Sequence, residues 1–244
     1  MADEAAAPAR IGNRLLAALP EGARAAILAH AQRYRIEAGE IVYDVGDRFT
    51  HSVFVETGVV SETTVLADGR MAESGTIGNE SKIGATSVLM RQVANRAYVV
   101  RVAGTALFVP LVRLDAAVRA DFEARNVYMK LSQAMQDATL QIAACNTAHT
   151  IEQRAARWLL QAHDRIEGDA LFLKQSTLAE ALGARRATIS EICSAFADAG
   201  AIGYARGHMR IRDRAGLEHL SCECHGVIKR GFDEALGAPP PAAS

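Results

Sequence analysis

The sequence predicts an α+β fold in which an N-terminal β-roll is followed by a long helix and by a helix-turn-helix with a β-hairpin wing. Three observations support this prediction. Glycines divide the first half of the chain into short β-rich runs, apolar residues recur at steps of three and four between residues 121 and 145, and helical spacing flanks Gly183. We expect the roll at residues 11–120, the long helix and a hinge at 121–149, and the helix-turn-helix unit at 150–236.

The composition indicates a globular protein of ordinary charge. Of the 244 residues, 50% are hydrophobic, and the formal net charge is −1. This length permits two modest cores. Since no apolar run approaches the roughly 18 residues of a membrane span and no export signal opens the sequence, we expect a cytoplasmic protein without membrane contact. The four cysteines fit a reducing compartment and give no disulfide framework.

The first half has the pattern of a roll or sandwich. A helix over residues 11–32, divided by Pro20, precedes the strands. Short β-rich runs then follow, separated by turns at glycines such as Gly39, Gly46 and Gly58. The predicted strands cover residues 33–36, 41–43, 52–55, 59–66, 97–102 and 105–110.

A long helix is predicted over residues 121–145. Its apolar residues alternate steps of three and four, which is typical of a helix paired with a twin copy. A single amphipathic helix lying on its own domain gives similar spacing, so both interpretations remain open at this point. The residues predicted to pair two subunits are Tyr128, Leu131, Met135, Ala138, Ile142 and Cys145. Thr150, with Gln153 three positions later, then forms a capping box that starts a new helix and marks a hinge near residues 146–149.

Residues 175–200 have the spacing of two crossing helices. Leu178, Ala179 and Leu182 form the inner face of a first helix that Gly183 ends. Ile189 lies where a helix-turn-helix needs a β-branched residue between its helices. The inner face of the second helix consists of Thr188, Ile189, Ile192, Cys193 and Phe196. An ordinary helical hairpin with a solvated polar face is the alternative interpretation.

The start of the second helix and the hairpin after it predict binding to double-stranded DNA. Two short strands flank an Arg206-Gly207 turn, which forms a wing. Residues 185–214 contain six arginines and three acidic residues, so this segment is net positive although the chain is not. A homodimer is favoured because one such unit reads only half of a symmetric site. The predicted DNA-binding residues are Arg185, Arg186, Thr188, Ser190, Glu191, Arg206, His208 and Arg210.

The order of roll, long helix, hinge and winged helix-turn-helix resembles the Crp/Fnr superfamily of bacterial transcription regulators. Residues 39–47 (GEIVYDVGD) and Gly58-Val59-Val60 look like turns of a cyclic-nucleotide-binding domain. Cys145-Asn146 and Cys222-Glu223-Cys224 look like a proteobacterial subgroup. The resemblance implies a sensor roll, an inverted-repeat operator read by a homodimer, and RNA polymerase as a further partner.

The resemblance also implies where this chain departs from the family. Arg186 falls where activator-type members carry a guanine-reading arginine, whereas Ala187 and Glu191 replace the residues usual at their positions. A different half-site is therefore expected.

The cyclic-nucleotide pocket is expected to be degenerate and the effector is unidentified. Ala85 stands where such pockets carry a glutamate, and Ala97 follows Arg96 where a hydroxyl residue is usual. Glu80 could supply a substitute carboxylate, so the candidate effector residues are Glu80, Gly84 and Arg96. We expect cyclic AMP binding to be weak or absent. No cysteine precedes Cys145, which excludes an N-terminal iron–sulfur cluster of the Fnr type.

The sequence also bears on a metal site, on a protein-docking module and on an enzyme. Cys222-x-Cys224-His225, near Cys193 or His219, is weak evidence for a metal site, and packing residues of the last helix are favoured instead. A module whose roll docks a protein partner is the alternative function, which exposure of residues 53–55 would favour and their burial would oppose. The sequence carries no nucleophile motif, phosphate-binding glycine loop or metal-histidine helix, and it therefore argues against an enzyme.

Overall fold

The N-terminal half folds as the predicted roll. The structure is a computed structural model that describes residues 11–67, 71–84 and 93–238. Two short helices come first in the chain and are followed by a six-stranded antiparallel sheet. Its strand order is β1-β6-β3-β4, and in addition β2 pairs with β6 and β5 with β3. The elements are α1 (Arg14–Ala18), α2 (Glu21–Leu28), β1 (Gln32–Ile36), β2 (Ile41–Tyr43), β3 (His51–Val65), β4 (Met71–Ile77), β5 (Lys82–Ile83) and β6 (Ala97–Pro110).

Pro20 divides the first helical segment as predicted, and it is the N-cap of α2. The predicted division of the longest strands is wrong. β3 and β6 each run as one strand through an irregular register around Gly58. Gly58 has φ +94°, and a Cβ on Gly104 would lie 2.0 Å from the Thr57 carbonyl oxygen. Glycine therefore lets two strands cross closely and bend there instead of ending them.

The second half is helical apart from a three-stranded sheet of order β7-β9-β8. Among the described residues no helix is long and apolar enough to cross a membrane. Thr150 and Gln153 form the predicted capping box at the start of α5. The elements are α3 (Leu111–Ala120), α4 (Phe122–Ala148), α5 (Ile151–His163), β7 (Ala170–Phe172), α6 (Gln175–Leu182), α7 (Arg186–Asp198), β8 (Ile202–Ala205), β9 (His208–Ile211), α8 (Arg214–Leu220) and α9 (Cys224–Leu236).

The long helix α4 packs on its own chain with the face that was predicted to pair two subunits. Tyr128 and Leu131 are each 1% exposed and Cys145 is fully buried. Met135, Ala138 and Ile142 are half-buried against the same core, to which α9 contributes Ile228 and Phe232. The burial of Tyr128, Leu131 and Cys145 within their own chain opposes a dimer contact through these three residues, whereas a contact through Met135, Ala138 and Ile142 stays a prediction. Their spacing marks an amphipathic helix that lies on its own domain, which was the other interpretation.

Beneath α4 the roll buries a lysine. Lys82 in β5 is fully buried, and its Nζ donates to the Gly84 carbonyl oxygen at 2.6 Å and to Ser52 Oγ at 3.3 Å. Nζ also lies 5.9 Å from the centroid of the Tyr128 ring. Burial lowers the pKa of Lys82 from its ordinary value of 10.5 to about 7, although the charge of Asp115 opposes this shift.

The buried lysine makes stability depend on pH. Between pH 7 and 10.5 the unfolded chain binds more protons at Lys82 than the folded chain, so the free energy of unfolding rises with pH. We expect a contribution of about 2 kcal/mol to this rise between pH 7 and 9. In Lys82→Met the contribution should vanish, and in the exposed control Lys130→Met it should persist. Urea titrations at both pH values measure it; equal slopes in all three proteins would contradict the prediction.

Candidate nucleic-acid interface

The helix-turn-helix is present as predicted. Gly183 ends α6 in the left-handed conformation with φ 63° and ψ 34°, which a residue without Cβ adopts at least cost. Its N–H group and that of Ala184 bond back to α6. Ile189 is fully buried between α6 and α7, and Phe196 is buried further along α7. The chain geometry at residues 175–200 thus follows from one left-handed turn and one apolar face.

The wing follows directly after α7. Arg206 and Gly207 both have positive φ, at 50° and 84°, as a two-residue hairpin turn requires. The sequence reasoning missed the third strand, β7, which pairs with β9. Phe172 of β7 packs beneath the turn, since its ring centroid is 5.2 Å from that of His208 and a Cβ on Gly207 would lie 2.9 Å from the ring. The apolar run 171–173 after Gly168 was the signal for this strand.

The structure places the predicted DNA-binding residues on the surface of these elements. Five side chains are exposed at the start of α7 or on the wing, Glu191 is exposed one turn further along α7, and Thr188 and Ser190 are half-buried. The five are Arg185, Arg186, Arg206, His208 and Arg210. Sequence reasoning omitted Lys174 and Arg212, which are also exposed beside this surface and add positive charge.

This surface carries positive charge that the protein itself does not neutralise. Within the described part of the chain, none of Arg185, Arg186, Arg206 and Arg210 has a carboxylate within salt-bridge distance. Arg214 differs, because its Nη2 lies 2.8 Å from Asp164 Oδ1 and its Nε 3.0 Å from Glu218 Oε1. The first turn of α7 also has no side-chain cap, so its backbone N–H groups can donate to a phosphate.

The candidate effector carboxylate is already occupied. Glu80 is buried, and Arg165 donates to it from Nη2 at 2.6 Å and from Nε at 3.2 Å. Gly78 makes room for this arginine, since a Cβ there would lie 2.1 Å from Arg165 Cδ. The suggestion that Glu80 receives a ligand hydroxyl is therefore wrong, because the carboxylate ties the roll to the loop after α5.

The other two effector candidates make contacts of their own within the described part of the roll. Arg96 lies 3.7 Å from Glu62 Oε2, and the Gly84 carbonyl oxygen accepts from Lys82. Ala85, on which the comparison with nucleotide pockets depended, lies outside the described residues. A cleft of about 810 Å³ lies elsewhere, between apolar residues of the roll and Phe172, Lys174 and Thr177.

Further contacts join the roll to the helix-turn-helix unit. Arg101 of β6 donates to Glu180 Oε2 of α6 at 3.1 Å, and Trp158 Nε1 of α5 donates to Glu73 Oε1 of β4 at 3.1 Å. The Gly58 N–H donates to the Arg165 carbonyl oxygen at 2.8 Å. Burial raises the pKa of Glu73 despite its hydrogen bonds and the arginines nearby. The helix-turn-helix unit is thus held to the roll by buried and partly buried polar contacts.

Residues 53–55 bear on the alternative function. Val53, Phe54 and Val55 are all fully buried. Their burial counts against a roll that docks a protein partner through this strand.

The last helix does not assemble the metal site considered from sequence. His225 Nε2 lies 2.8 Å from Asp164 Oδ2 instead of beside the cysteines. Although burial alone would raise it, the pKa of Asp164 is lowered by the hydrogen bond with His225 and by the charge of Arg214. Cys193 lies in the core of the helix-turn-helix. Cys222 and Cys224 instead meet Cys145 and His149.

Comparison with known proteins supports the fold and the helix-turn-helix. Residues 153–220 match the family model of the Crp-like helix-turn-helix domain. A CRP-family transcriptional regulator from Thermus thermophilus is 18% identical with a TM-score of 0.63, over 77% of this chain and 95% of that chain. FixK2 from Bradyrhizobium japonicum is 20% identical with a TM-score of 0.61, over 79% and 98%.

A third structure, the c-di-GMP-responsive global regulator CLP from Xanthomonas campestris, is 18% identical with a TM-score of 0.58, over 80% of this chain and 100% of that chain. None of the curated protein sequences compared with this chain matches it. The predicted resemblance to the Crp/Fnr superfamily is thus confirmed by the family model for the helix-turn-helix and by these structures for the fold. Two of these similar proteins, those from Thermus thermophilus and Xanthomonas campestris, are described as regulators.

We call the helix-turn-helix unit (residues 150–236) the reader. Its contact with the roll can be tested through the buried ion pair of Arg165 and Glu80. We expect Arg165→Leu to lower the free energy of unfolding by about 3 kcal/mol, because Glu80 is left buried without its counter-charge. Trp158 is the only tryptophan and lies at this contact, so its fluorescence follows urea unfolding. The control is Arg35→Leu, which removes an exposed pair with Glu37 and should change stability by less than about 0.5 kcal/mol. Equal effects of the two substitutions would contradict the role assigned to Arg165.

Proposed function

We propose that this chain, which joins a Crp-like helix-turn-helix domain to the fold of Crp/Fnr regulators, is a homodimeric transcription regulator that binds an inverted-repeat DNA operator. The observation that carries the proposal is the uncapped N-terminus of α7, with Arg185 and Arg186 exposed beside it and Arg206 and Arg210 exposed on the wing. A protein that used this surface only for solubility would not need four arginines without internal partners.

Each part of this surface suits a different part of the DNA. The Arg186 guanidinium can donate two parallel hydrogen bonds to guanine O6 and N7 in the major groove. The uncapped N–H groups of α7 and the wing arginines suit backbone phosphates, which carry charge but no sequence information. Glu191 is exposed on the same helix and can accept from a cytosine amino group.

The proposed dimer forms through the outward face of α4. Phe122, Met129 and Leu140 are large apolar side chains with 65%, 64% and 61% of their surfaces exposed. Together with the residues between them they repeat at alternating steps of four and three along the helix. We call this face the outward stripe; it consists of Phe122, Asn126, Met129, Gln133, Gln136, Leu140, Ala143 and Thr147. Phe122, Met129, Leu140 and Ala143 supply the apolar contacts on this face, with polar residues between them, and a twofold dimer places two reading heads on one operator.

The signal would act on the contacts between roll and reader. Arg165 to Glu80 and Arg101 to Glu180 both cross this boundary. An effector that binds more tightly when these pairs are broken would shift the orientation of α7 relative to α4. The cleft of about 810 Å³ at the same boundary offers space for such a molecule.

The DNA proposal is tested with operator sites selected from random DNA by the full chain. We expect Arg186→Ala to cost about 1–3 kcal/mol of discrimination between the selected site and one with the guanine replaced. Arg210→Ala should instead weaken binding to both sites by a similar factor, because a phosphate contact is sequence-independent. Fluorescence anisotropy at fixed salt measures both. Unchanged discrimination in Arg186→Ala would show that the reading surface lies elsewhere.

The dimer proposal is tested by a charge on the outward stripe. We expect Leu140→Asp to raise the dimer dissociation constant at least about tenfold, because two carboxylates would be buried at a twofold contact. Val112→Asp is the matched control, since Val112 is 71% exposed on α3 and lies outside the stripe. Analytical ultracentrifugation measures the constant. A dimer that both variants leave intact would place the subunit contact on another surface.

A further inference from the structure

Four side chains with metal-binding atoms meet where α4 ends. Cys145 lies in the last turn of α4 and His149 is its C-cap. Cys222 lies in the connection between α8 and α9, and Cys224 is the first residue of α9. Cys145 Sγ is 3.6 Å from Cys222 Sγ, and Cys224 Sγ is 3.6 Å from His149 Nδ1. All four atoms lie within 4.8 Å of one another. The three sulfur ligands are buried and form a cluster separate from the other cores.

Two of the six separations match the corners of a tetrahedron around one ion, and the remaining ones, at up to 4.8 Å, would shorten on binding. With Zn–S bonds of about 2.3 Å and Zn–N bonds of about 2.0 Å, two sulfurs lie about 3.8 Å apart and a sulfur and a nitrogen about 3.6 Å apart. The observed separations of 3.6 Å are close to both values. A disulfide would need sulfurs about 2.0 Å apart. Four donors this close also leave no room for the irons and sulfides of a cluster.

We propose that Cys145, His149, Cys222 and Cys224 bind one Zn²⁺ ion in a closed Cys₃His site. Thiolate and imidazole are the ligands that zinc prefers in structural sites, and four protein ligands leave no open position for substrate. The ion therefore has a structural role. This inference is independent of the DNA proposal, because none of the four residues belongs to the reading surface.

The surroundings of the site fit an ion held through His149 Nδ1. His149 Nε2 lies 3.3 Å from Glu223 Oε2, so a carboxylate can accept the proton on Nε2 and leave Nδ1 for the metal. Gln141 Nε2 donates to Cys224 Sγ at 3.0 Å, as donors to metal-bound thiolates do. Glu223 lies between Cys222 and Cys224 in the sequence, and Gln141 lies one turn before Cys145 on α4.

The charge around the site also fits. Zn²⁺ with three thiolates has a net charge of −1. Arg157 is buried nearby and acts electrostatically on Cys145, and it has no carboxylate within salt-bridge distance among the described residues. Its Nε has no hydrogen-bond partner there, and its Nη1 donates to Gln161 at 2.7 Å. Arg157 also acts electrostatically on the Glu73 carboxyl, and a negatively charged zinc site would add a second counter-charge on its other side, which three neutral thiols would not.

The wild-type protein provides the first test. The full chain, purified under reducing conditions without chelator, is expected to contain about one zinc per chain by mass-spectrometric metal analysis. Replacement of zinc by Co²⁺ should give the visible absorption of tetrahedral cobalt and a thiolate charge-transfer band in the near ultraviolet. Wild-type protein that holds no zinc and takes up no Co²⁺, or that carries a Cys145–Cys222 disulfide in place of metal, would overturn the proposal whether or not any variant folds.

Matched cysteine variants provide the second test. Cys224→Ala should lose the cobalt spectrum and at least about tenfold in zinc affinity in a chelator competition. Cys193→Ala removes a buried cysteine of the helix-turn-helix core and should keep one zinc per chain. His149→Ala should shift the cobalt absorption, because a nitrogen ligand is replaced by water. Zinc bound equally well by Cys224→Ala and wild type would mean that the ion lies elsewhere.

Discussion

The packing of α4 against its own chain positions the other functional elements. Tyr128 and Leu131 are buried in the core that the roll and α9 build around this helix. Because much of that face is buried within its own chain, we propose the outward stripe as the contact with a second copy. The same packing sets the direction of the helix end, where Cys145 and His149 lie. The positions of the proposed dimer surface, the predicted hinge and the proposed zinc site therefore all depend on one buried helix face.

The boundary between the roll and the helix-turn-helix unit buries an ion pair beside the apolar packing of Val59 and Val102 of the roll. Burying Arg165 and Glu80 together costs desolvation of both charges, which the two hydrogen bonds between them offset. An apolar contact of the same area would stabilise the boundary more. Its free energy would depend less steeply on the relative orientation of the two parts. A buried ion pair is lost almost completely when the partners separate by a few ångströms, since unpaired charge is costly in that environment. Such a contact suits the two arrangements of the roll and the helix-turn-helix unit that the proposed function requires.

Local sequence signals predicted the turns and caps of the helix-turn-helix unit. The long-range contacts of the roll could not be predicted in this way. The Thr150 capping box, the Gly183 turn and the Arg206-Gly207 hairpin each depend on neighbours within a few residues, and the structure has all three. Arg165 and Glu80 are 85 residues apart, so no spacing could reveal their pair. The three-and-four spacing of apolar residues correctly predicted a packed face on α4. Such spacing does not distinguish a face that packs on its own chain from one that packs on a second chain. β7 was missed because a three-residue strand has no period to detect.

The proposed zinc site changes how motion at the hinge must be described. The sequence places a hinge at residues 146–149, which a free connection between α4 and α5 would allow to bend. With Zn²⁺ bound, Cys145 just before this segment and His149 at its end would both be fixed to the start of α9. α9 in turn packs along α4 through Ile228 and Phe232. The end of α4 and α9 then form one rigid body, so reorientation of α7 has to come from changes beyond His149, at the contacts of Arg165 and Arg101 with the roll and the reader. The arrangement therefore favours a signal that acts across the roll–reader boundary over one that bends the helix.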